Sequence, residues 1–102
     1  MSSRREELHE ILVDLLGSRN VYFQPPATVK IQYPCIIYKR NRIDTKYAND
    51  LLYKKSMGYL VTVIDSDPDS EIPDKVLQLP LTSFDRHYTA DNLNHDVFNI
   101  YF

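Results

Sequence analysis

The chain has 102 residues, of which 43% are hydrophobic and 25% are charged, and its formal net charge at pH 7 is -2. This length provides one domain, which we assign to residues 1–102, and the composition is typical of soluble globular proteins rather than disordered or membrane proteins. Because the 12 Lys and Arg residues are outnumbered by 14 Asp and Glu residues, the chain lacks the basic excess of a general nucleic-acid binder.

The first predicted element is an amphipathic helix near the N-terminus. Ser3 and Glu6 have the spacing of a capping box, and Gly17 is a residue type that commonly ends a helix. The segment is charged, so we do not expect a secretory signal, and no apolar run in the sequence is long enough to predict a membrane span. The helical repeat predicts a buried stripe of Leu8, Ile11, Leu12, Leu15 and Leu16.

Three strands and a long connection are expected next. Val21–Phe23 predicts a short strand that a proline pair ends, and Cys35–Arg40 predicts a second strand. Asn41–Leu52 has no sustained period of 2 or 3.6, so we expect a long hairpin loop, a kind of segment that often has a function. Tyr53–Asp65 then predicts a central strand that is apolar on both faces, which indicates that both faces are covered.

A short second helix is predicted after the central strand. Ser70 or Asp69 is a suitable cap, and Pro80 marks the end of the segment. The expected buried stripe consists of Ile72, Val76 and Leu79.

The last part of the chain predicts a hairpin. Its strands lie near Phe84–Tyr88 and Leu93–Phe102, and the turn at residues 90–92 offers Asp and Asn where a left-handed backbone is needed. The final strand is apolar on both faces, which favours a subunit of a larger assembly. The element order α-β-β-β-α-β-β predicts an α+β fold, in which a mostly antiparallel sheet is packed by two helices.

Residues suited to catalysis are scarce. Cys35 lies in an apolar run, where we interpret it as a small buried hydrophobe. The serines do not occur in a G-x-S-x-G motif, and 2 glycines are too few for a phosphate-binding loop. We therefore predict that the chain is not an enzyme and has no catalytic residue or cofactor.

Two clusters contain the residue types that bind metals. The D-x-D-x-D run that starts at Asp65 imitates a calcium loop, but Ser70 and Val76 stand where such a loop needs Gly and Glu, so helix capping is favoured. His87 and His95 come together with nearby aspartates if the last two strands pair across their turn. Their spacing matches no ligand signature, so we favour polar surface histidines and predict no metal site.

Cations and tyrosines border the predicted long loop on both sides. The loop is either a solvated hairpin tip or a docking surface for a protein partner, with nucleic acid the least favoured partner. For the docking hypothesis, the candidate partner-contact residues are Arg40, Arg42, Lys46, Tyr47, Lys54 and Lys55.

Four phrases, spread from Asn20 to Phe102, resemble the small neck proteins of long-tailed bacteriophages that are called tail terminators or tail-completion proteins. The phrases are NVYFQPP at Asn20–Pro26, YPCIIYKR at Tyr33–Arg40, YLVTVIDSDPDSEIPDKVLQLP at Tyr59–Pro80 and SFDRHYTADNLNHDVFNIYF at Ser83–Phe102. The resemblance implies a compact α/β subunit that forms a ring, typically six-fold, on the head-proximal end of the tail tube. Such a ring stops tube polymerisation and offers a joining surface to the head.

The same resemblance implies the partners and the location. The partners are further copies of the chain, the tail-tube protein and a head-side connector protein, and DNA only passes through the ring. The protein is then made in the host bacterial cytoplasm and resides in the neck of the virion. Two rival functions stay open: a head-completion or connector protein of the same virion, and a host-directed or regulatory binding module.

Overall fold

A five-stranded sheet with both helices on one of its faces forms the body of the protein. The computed structural model describes residues 4–48 and 51–102, and for residues 42–48 and 51–56 it describes the backbone. In chain order the elements are α1 (Arg4–Leu16), β1 (Val21–Phe23), β2 (Cys35–Ala48), β3 (Leu51–Asp65), α2 (Ile72–Leu77), β4 (Thr82–Ala90) and β5 (Leu93–Tyr101). This order confirms the predicted α-β-β-β-α-β-β fold of the α+β class.

The strands lie in the spatial order β1-β2-β3-β5-β4. Only β1 and β2 pair in parallel among the described strands, and the other neighbours are antiparallel. Residues 24–34 connect the parallel pair and cross the sheet near β1, where the Gln32 N–H donates to the Tyr22 hydroxyl at 3.3 Å. Since Tyr22 alternates with the core residues Val21 and Phe23, this crossover lies on the face opposite the helices.

Helix α1 packs on the sheet through a face that differs slightly from the predicted one. Leu8, Leu12 and Val13 are buried, whereas Ile11 is 36% exposed, so the prediction that Ile11 belongs to the stripe is wrong. The side chains of Arg5 and His9, one turn apart, both bond to Tyr38 on the sheet. These bonds fix the rotation of the helix and turn Ile11 outward.

The end of α1 agrees with the sequence. Gly17 has a φ of 80°, and its N–H donates to the Val13 carbonyl at 2.9 Å. This is the left-handed closing residue that glycine supplies without steric cost. The predicted capping box involves Ser3, which lies outside the described residues.

Helix α2 also forms where predicted. The Ser70 hydroxyl accepts the Ile72 N–H at 3.3 Å, although the N-cap position itself is occupied by Glu71. Val76 is fully buried, and Ile72 and Leu79 pack partly buried against the same core. The helix thus has the predicted stripe and ends before Pro80.

The predicted loop at Asn41–Leu52 is wrong. Strand β2 continues to Ala48 and β3 begins at Leu51, so these residues extend the hairpin as strand, with the connection at residues 49–50 outside the described part. The register shifts between Arg40 and Arg42 and again at Lys46. The first shift places one extra residue, Asn41, on β2, and the second places Tyr53 on β3. The extra residue at Asn41 interrupts the alternation where the segment begins, so the period of 2 of Cys35–Arg40 does not continue into it.

The β4–β5 hairpin confirms the predicted turn. Asp91 and Asn92 have φ values of 53° and 63°, and they connect the paired residues Ala90 and Leu93. Two successive left-handed residues form the type I′ turn that suits the twist of antiparallel strands.

One hydrophobic core lies between the helices and the sheet. Its fully buried side chains come from α1, α2 and the central strands, and Tyr38 and Phe98 are the largest. Cys35 is also fully buried, as predicted, and burial raises the pKa of its thiol to about 12. The core cluster consists of Leu8, Leu12, Val13, Val21, Ile36, Tyr38, Tyr59, Val61, Val63, Val76, Phe98 and Ile100.

We expect Leu12→Ala to lower the free energy of unfolding by about 2–5 kcal/mol, because it leaves a cavity at a fully buried position. Val61→Ala, on the sheet side of the same core, should act similarly. Chemical denaturation monitored by circular dichroism measures both. Ile11→Ala, on the exposed side of the same helix, is the matched control and should cost much less; an equal loss for Leu12 and Ile11 would contradict this packing.

Candidate partner-binding surfaces

The β2–β3 hairpin extends beyond the rest of the sheet. Strand β5 pairs with β3 only from Gly58 to Asp65, and β1 pairs with β2 only from Ile36 to Tyr38. In the described pairings, residues 42–48 and 51–57, which we call the ribbon, therefore pair with each other, and only Met57, whose carbonyl also accepts the Phe102 N–H at 2.9 Å, bonds to the rest of the sheet. The molecule measures 51 × 27 × 24 Å, and its radius of gyration is 14.8 Å, against about 13 Å for a compact chain of this length.

The ribbon contains most of the candidate contact residues from the sequence. Its register pairs Lys46 with Lys54 and Thr45 with Lys55, and Tyr47 stands opposite Leu52. Like charges at directly opposed positions of an antiparallel pair are destabilising. A two-stranded ribbon is also only marginally stable by itself, so the register and the small number of strands both disfavour this segment in the isolated chain.

Arg40 lies where the ribbon joins the sheet. The backbone N–H of Arg40 donates to the Gln24 side-chain carbonyl at 3.1 Å, and the Gln24 N–H donates to the Tyr38 carbonyl at 3.0 Å. Gln24 has a φ of 45°, which ends the extended backbone of β1. Its side-chain oxygen therefore accepts the Arg40 N–H in place of a β1 backbone carbonyl. The Arg40 side chain is exposed at this point.

The face of the sheet opposite the helices, which we call the open face, contains a groove of about 700 Å³. The groove is lined by Ile37, Leu60, Thr62 and Val97 on the sheet, with Gln24, Pro25, Tyr38, Lys39, Arg40, Arg86 and Tyr88 also lining it. Strand alternation explains its location, because Ile36 and Tyr38 point into the core and the residues between and beyond them point away. The lining includes three cations and no carboxylate.

Aromatic and cationic groups border the groove on the β4 side. Tyr88 stacks on His95 with ring centroids 4.6 Å apart and an interplanar angle of 12°. The Arg86 guanidinium lies 5.8 Å from the centre of the Tyr88 ring, and its ion pair with Asp85 is long, at 3.8 Å. An exposed pair of this length contributes little to stability. The Arg86 guanidinium is therefore available to bind an outside partner.

A polar contact beneath α1 was missed by sequence reasoning. The fully buried Tyr38 places its hydroxyl 2.8 Å from Nδ1 of His9, and Arg5 donates to the same oxygen at 3.3 Å. Desolvation by burial raises the pKa of Tyr38, and burial followed by the charge of Arg5 lowers the pKa of His9. The signal in the sequence was the Arg5–His9 spacing of one helical turn beside the buried Leu8 and Leu12.

The structure does not bring together the two histidines that were considered as metal ligands. His87 stands opposite Asp96, with Nδ1 2.8 Å from Oδ1, whereas His95 stands opposite Tyr88. The two-residue turn at Asp91 and Asn92 is the cause, since it pairs Ala90 with Leu93 and the unbroken register from there sets His87 opposite Asp96. Among the described residues, no three His, Cys, Asp or Glu side chains form a group suited to a metal ion.

The aspartate run after β3 forms turns. The Asp65 carboxylate accepts the Asp67 N–H at 3.0 Å, and the Asp67 carboxylate accepts the Asp69 N–H at 2.9 Å. These bonds satisfy backbone donors between β3 and α2, as expected for short acidic side chains at turns. None of the helices in the described part of the chain has the length and apolar character needed to cross a membrane.

Comparison with known proteins finds no family model and no curated protein that matches this chain. The residues quoted above therefore remain the whole basis of the resemblance to phage tail terminators. The function has to be argued from those residues and from the two surfaces, the ribbon and the groove.

The contact between His9 and Tyr38 predicts a pH dependence of stability. Because the pKa of His9 in the folded protein lies below the ordinary value of 6.5, the unfolded chain binds the proton more readily. The contribution is present above pH 6.5 and is lost as the pH falls through the lowered folded pKa.

His9→Gln keeps a polar side chain but does not titrate in this range. The difference in free energy of unfolding between wild type and His9→Gln should therefore shrink as the pH falls below 6.5. Urea denaturation at a series of pH values measures this difference. Parallel curves for the two proteins would show that His9 is not responsible.

Proposed function

We propose that this chain is the subunit of a homo-oligomeric ring that caps the head-proximal end of a bacteriophage tail tube. In this role it ends tube polymerisation and provides the surface to which the head joins. The proposal of this role starts from the resemblance of the four phrases to tail terminators. The observation that supports it best is the ribbon, which leaves the body of the subunit at the point where β5 ends.

The ribbon suits contact between proteins for a physical reason. Its two strands have backbone groups along their outer edges that the described sheet does not pair, and such edges readily accept a strand from another chain. Within an assembly, neighbouring chains can supply the pairing and the burial that a two-stranded ribbon lacks. A ring of subunits, or the end of a tube, offers such neighbours.

The charge of the ribbon indicates the chemistry of its partner. Arg42, Lys46, Lys54 and Lys55 lie in a chain whose net charge is -2, so the positive charge is concentrated locally. Charges at the rim of an interface chiefly set the rate of encounter and the register of docking. We therefore assign the ribbon to contact with an acidic protein surface, either on the tube end or on a neighbouring subunit.

Charge reversal in the ribbon tests the proposal. We expect Arg42→Glu combined with Lys46→Glu to leave the free energy of unfolding within about 0.5 kcal/mol of wild type, because the ribbon pairs outside the part of the sheet that the helices cover. In a phage that lacks the gene and is complemented with the double variant, tails should have irregular length or stay unattached to heads. Electron micrographs of the particles provide the measurement.

A matched control carries the same change in charge elsewhere. Arg19→Glu combined with Lys30→Glu alters two exposed cations outside the ribbon and should give normal particles. Overlong tails favour the terminator role, whereas tails of normal length without heads favour the rival head-completion role. If the ribbon variant gives normal numbers of complete particles, the ribbon does not take part in assembly and is a solvated tip.

A further inference from the structure

A second surface lies on the helix side of the sheet, beside β4. Three large apolar side chains are exposed there within a short stretch of chain: Leu77 at 46%, Leu81 at 74% and Phe84 at 50%. Phe84 belongs to the helix side because its ring contacts the core residue Phe98, with centroids 5.5 Å apart. Exposed apolar side chains in such a concentration indicate an interaction site.

Carboxylates border these apolar side chains. Glu71 and Asp74 are exposed on α2 and its N-cap, on the turns before Leu77. The segment from Asp65 to Leu77 contains five acidic residues and a single cation, Lys75. We call the surface formed by Glu71, Asp74, Leu77, Leu81 and Phe84 the α2–β4 surface.

The groove on the open face has the complementary composition. Its floor is apolar, through Ile37, Leu60 and Val97, and its cations are Lys39, Arg40 and Arg86. Ile37 and Leu60 are only partly buried, so a partner can still remove apolar area from water. The α2–β4 surface therefore presents leucine, phenylalanine and carboxylate groups, and the groove presents an apolar floor between cations.

We propose that the groove of one subunit binds the α2–β4 surface of a second copy of the chain. The two surfaces lie on opposite faces of the sheet, so the contact is heterologous and its repetition produces a ring when the rotation closes. This assignment deepens the proposed ring function and rests on it for its biological role. The contact itself is a property of the protein alone.

The second copy is favoured over nucleic acid as the occupant. A phosphate backbone would use the cations of the groove but leave its apolar floor exposed, and the net charge of -2 opposes polyanion binding. The α2–β4 surface matches both the charge and the apolar character of the groove. It is also present at the same concentration, since each copy has both surfaces.

Two charge-reversed variants test the contact. Arg86→Glu alters the groove and Asp74→Arg alters the α2–β4 surface, and both positions are exposed, so the fold should persist, as a thermal melt will verify. In sedimentation velocity, concentrated wild-type protein should form an oligomer and each variant alone should stay monomeric. Asp14→Arg, at an exposed position of α1 outside both surfaces, is the matched control and should assemble as wild type does.

An equal mixture of the two variants provides the decisive measurement. In an alternating assembly, Glu at position 86 of one variant meets Arg at position 74 of the other, and the wild-type Arg86 meets the wild-type Asp74. The mixture should therefore recover the oligomer. The proposal is overturned if wild type stays monomeric at high concentration, if either folded variant assembles by itself, or if the mixture stays monomeric.

Two further readouts separate this inference from its alternatives. If the mixture recovers the oligomer but a phage that lacks the gene still makes tails of normal length, the contact is supported and the proposed function is refuted. If the protein caps tails and neither variant changes assembly or tail length, the proposed function is supported and the contact is refuted. Fluorescence anisotropy with a DNA oligonucleotide measures DNA binding. If Arg86→Glu abolishes DNA binding and leaves assembly intact, the groove is a nucleic-acid site and the proposal is overturned.

Discussion

The unequal length of the strands is the constraint on which the rest of this structure depends. Strands β2 and β3 have 14 and 15 residues, whereas β5, which pairs with β3, has 9. The helices and the core occupy the part of the sheet where several strands lie side by side. The remaining length of the hairpin becomes a ribbon whose outer edges the described sheet leaves unpaired, and in the proposed assembly another chain pairs with them.

The two faces of the sheet are covered to different extents. On one face, α1 and α2 cover the core, and α1 is held in place by the bonds of Arg5 and His9 to the buried Tyr38. On the other face, the crossover at residues 24–34 covers the region near β1, and the groove remains between its end and β4. The described elements place no further layer over that groove, and in the proposed assembly a neighbouring copy covers it.

Much of the fold could be predicted because it depends on local patterns. The element order, the closing residue Gly17, the type I′ turn at Asp91 and Asn92 and the stripe around Val76 all follow from spacing and backbone preference. The ribbon was missed because the register shift at Asn41 interrupts the period of 2 where the segment begins. Bulges of this kind are decided by pairing across strands, which a single segment of sequence does not reveal.

The same limit applies to the candidate sites. The cations around the ribbon were visible in the sequence, but the opposition of Lys46 and Lys54 depends on the register. The separation of His87 from His95 follows from the register that the two-residue turn imposes on β4 and β5, and the contact between His9 and Tyr38 joins residues 29 positions apart. The groove was also unpredicted, since its lining comes from β2, β3, β4, β5 and the crossover.

Electron microscopy of the purified chain, alone at high concentration and after mixing with tail tubes that lack it, is the most direct test of the central claim. The claim is that this subunit completes its sheet and its open face through other chains, as a ring on the end of a tube. We expect closed rings, in solution or at one end of each tube. Protein that stays monomeric at high concentration and leaves both ends of the tubes bare would contradict the account.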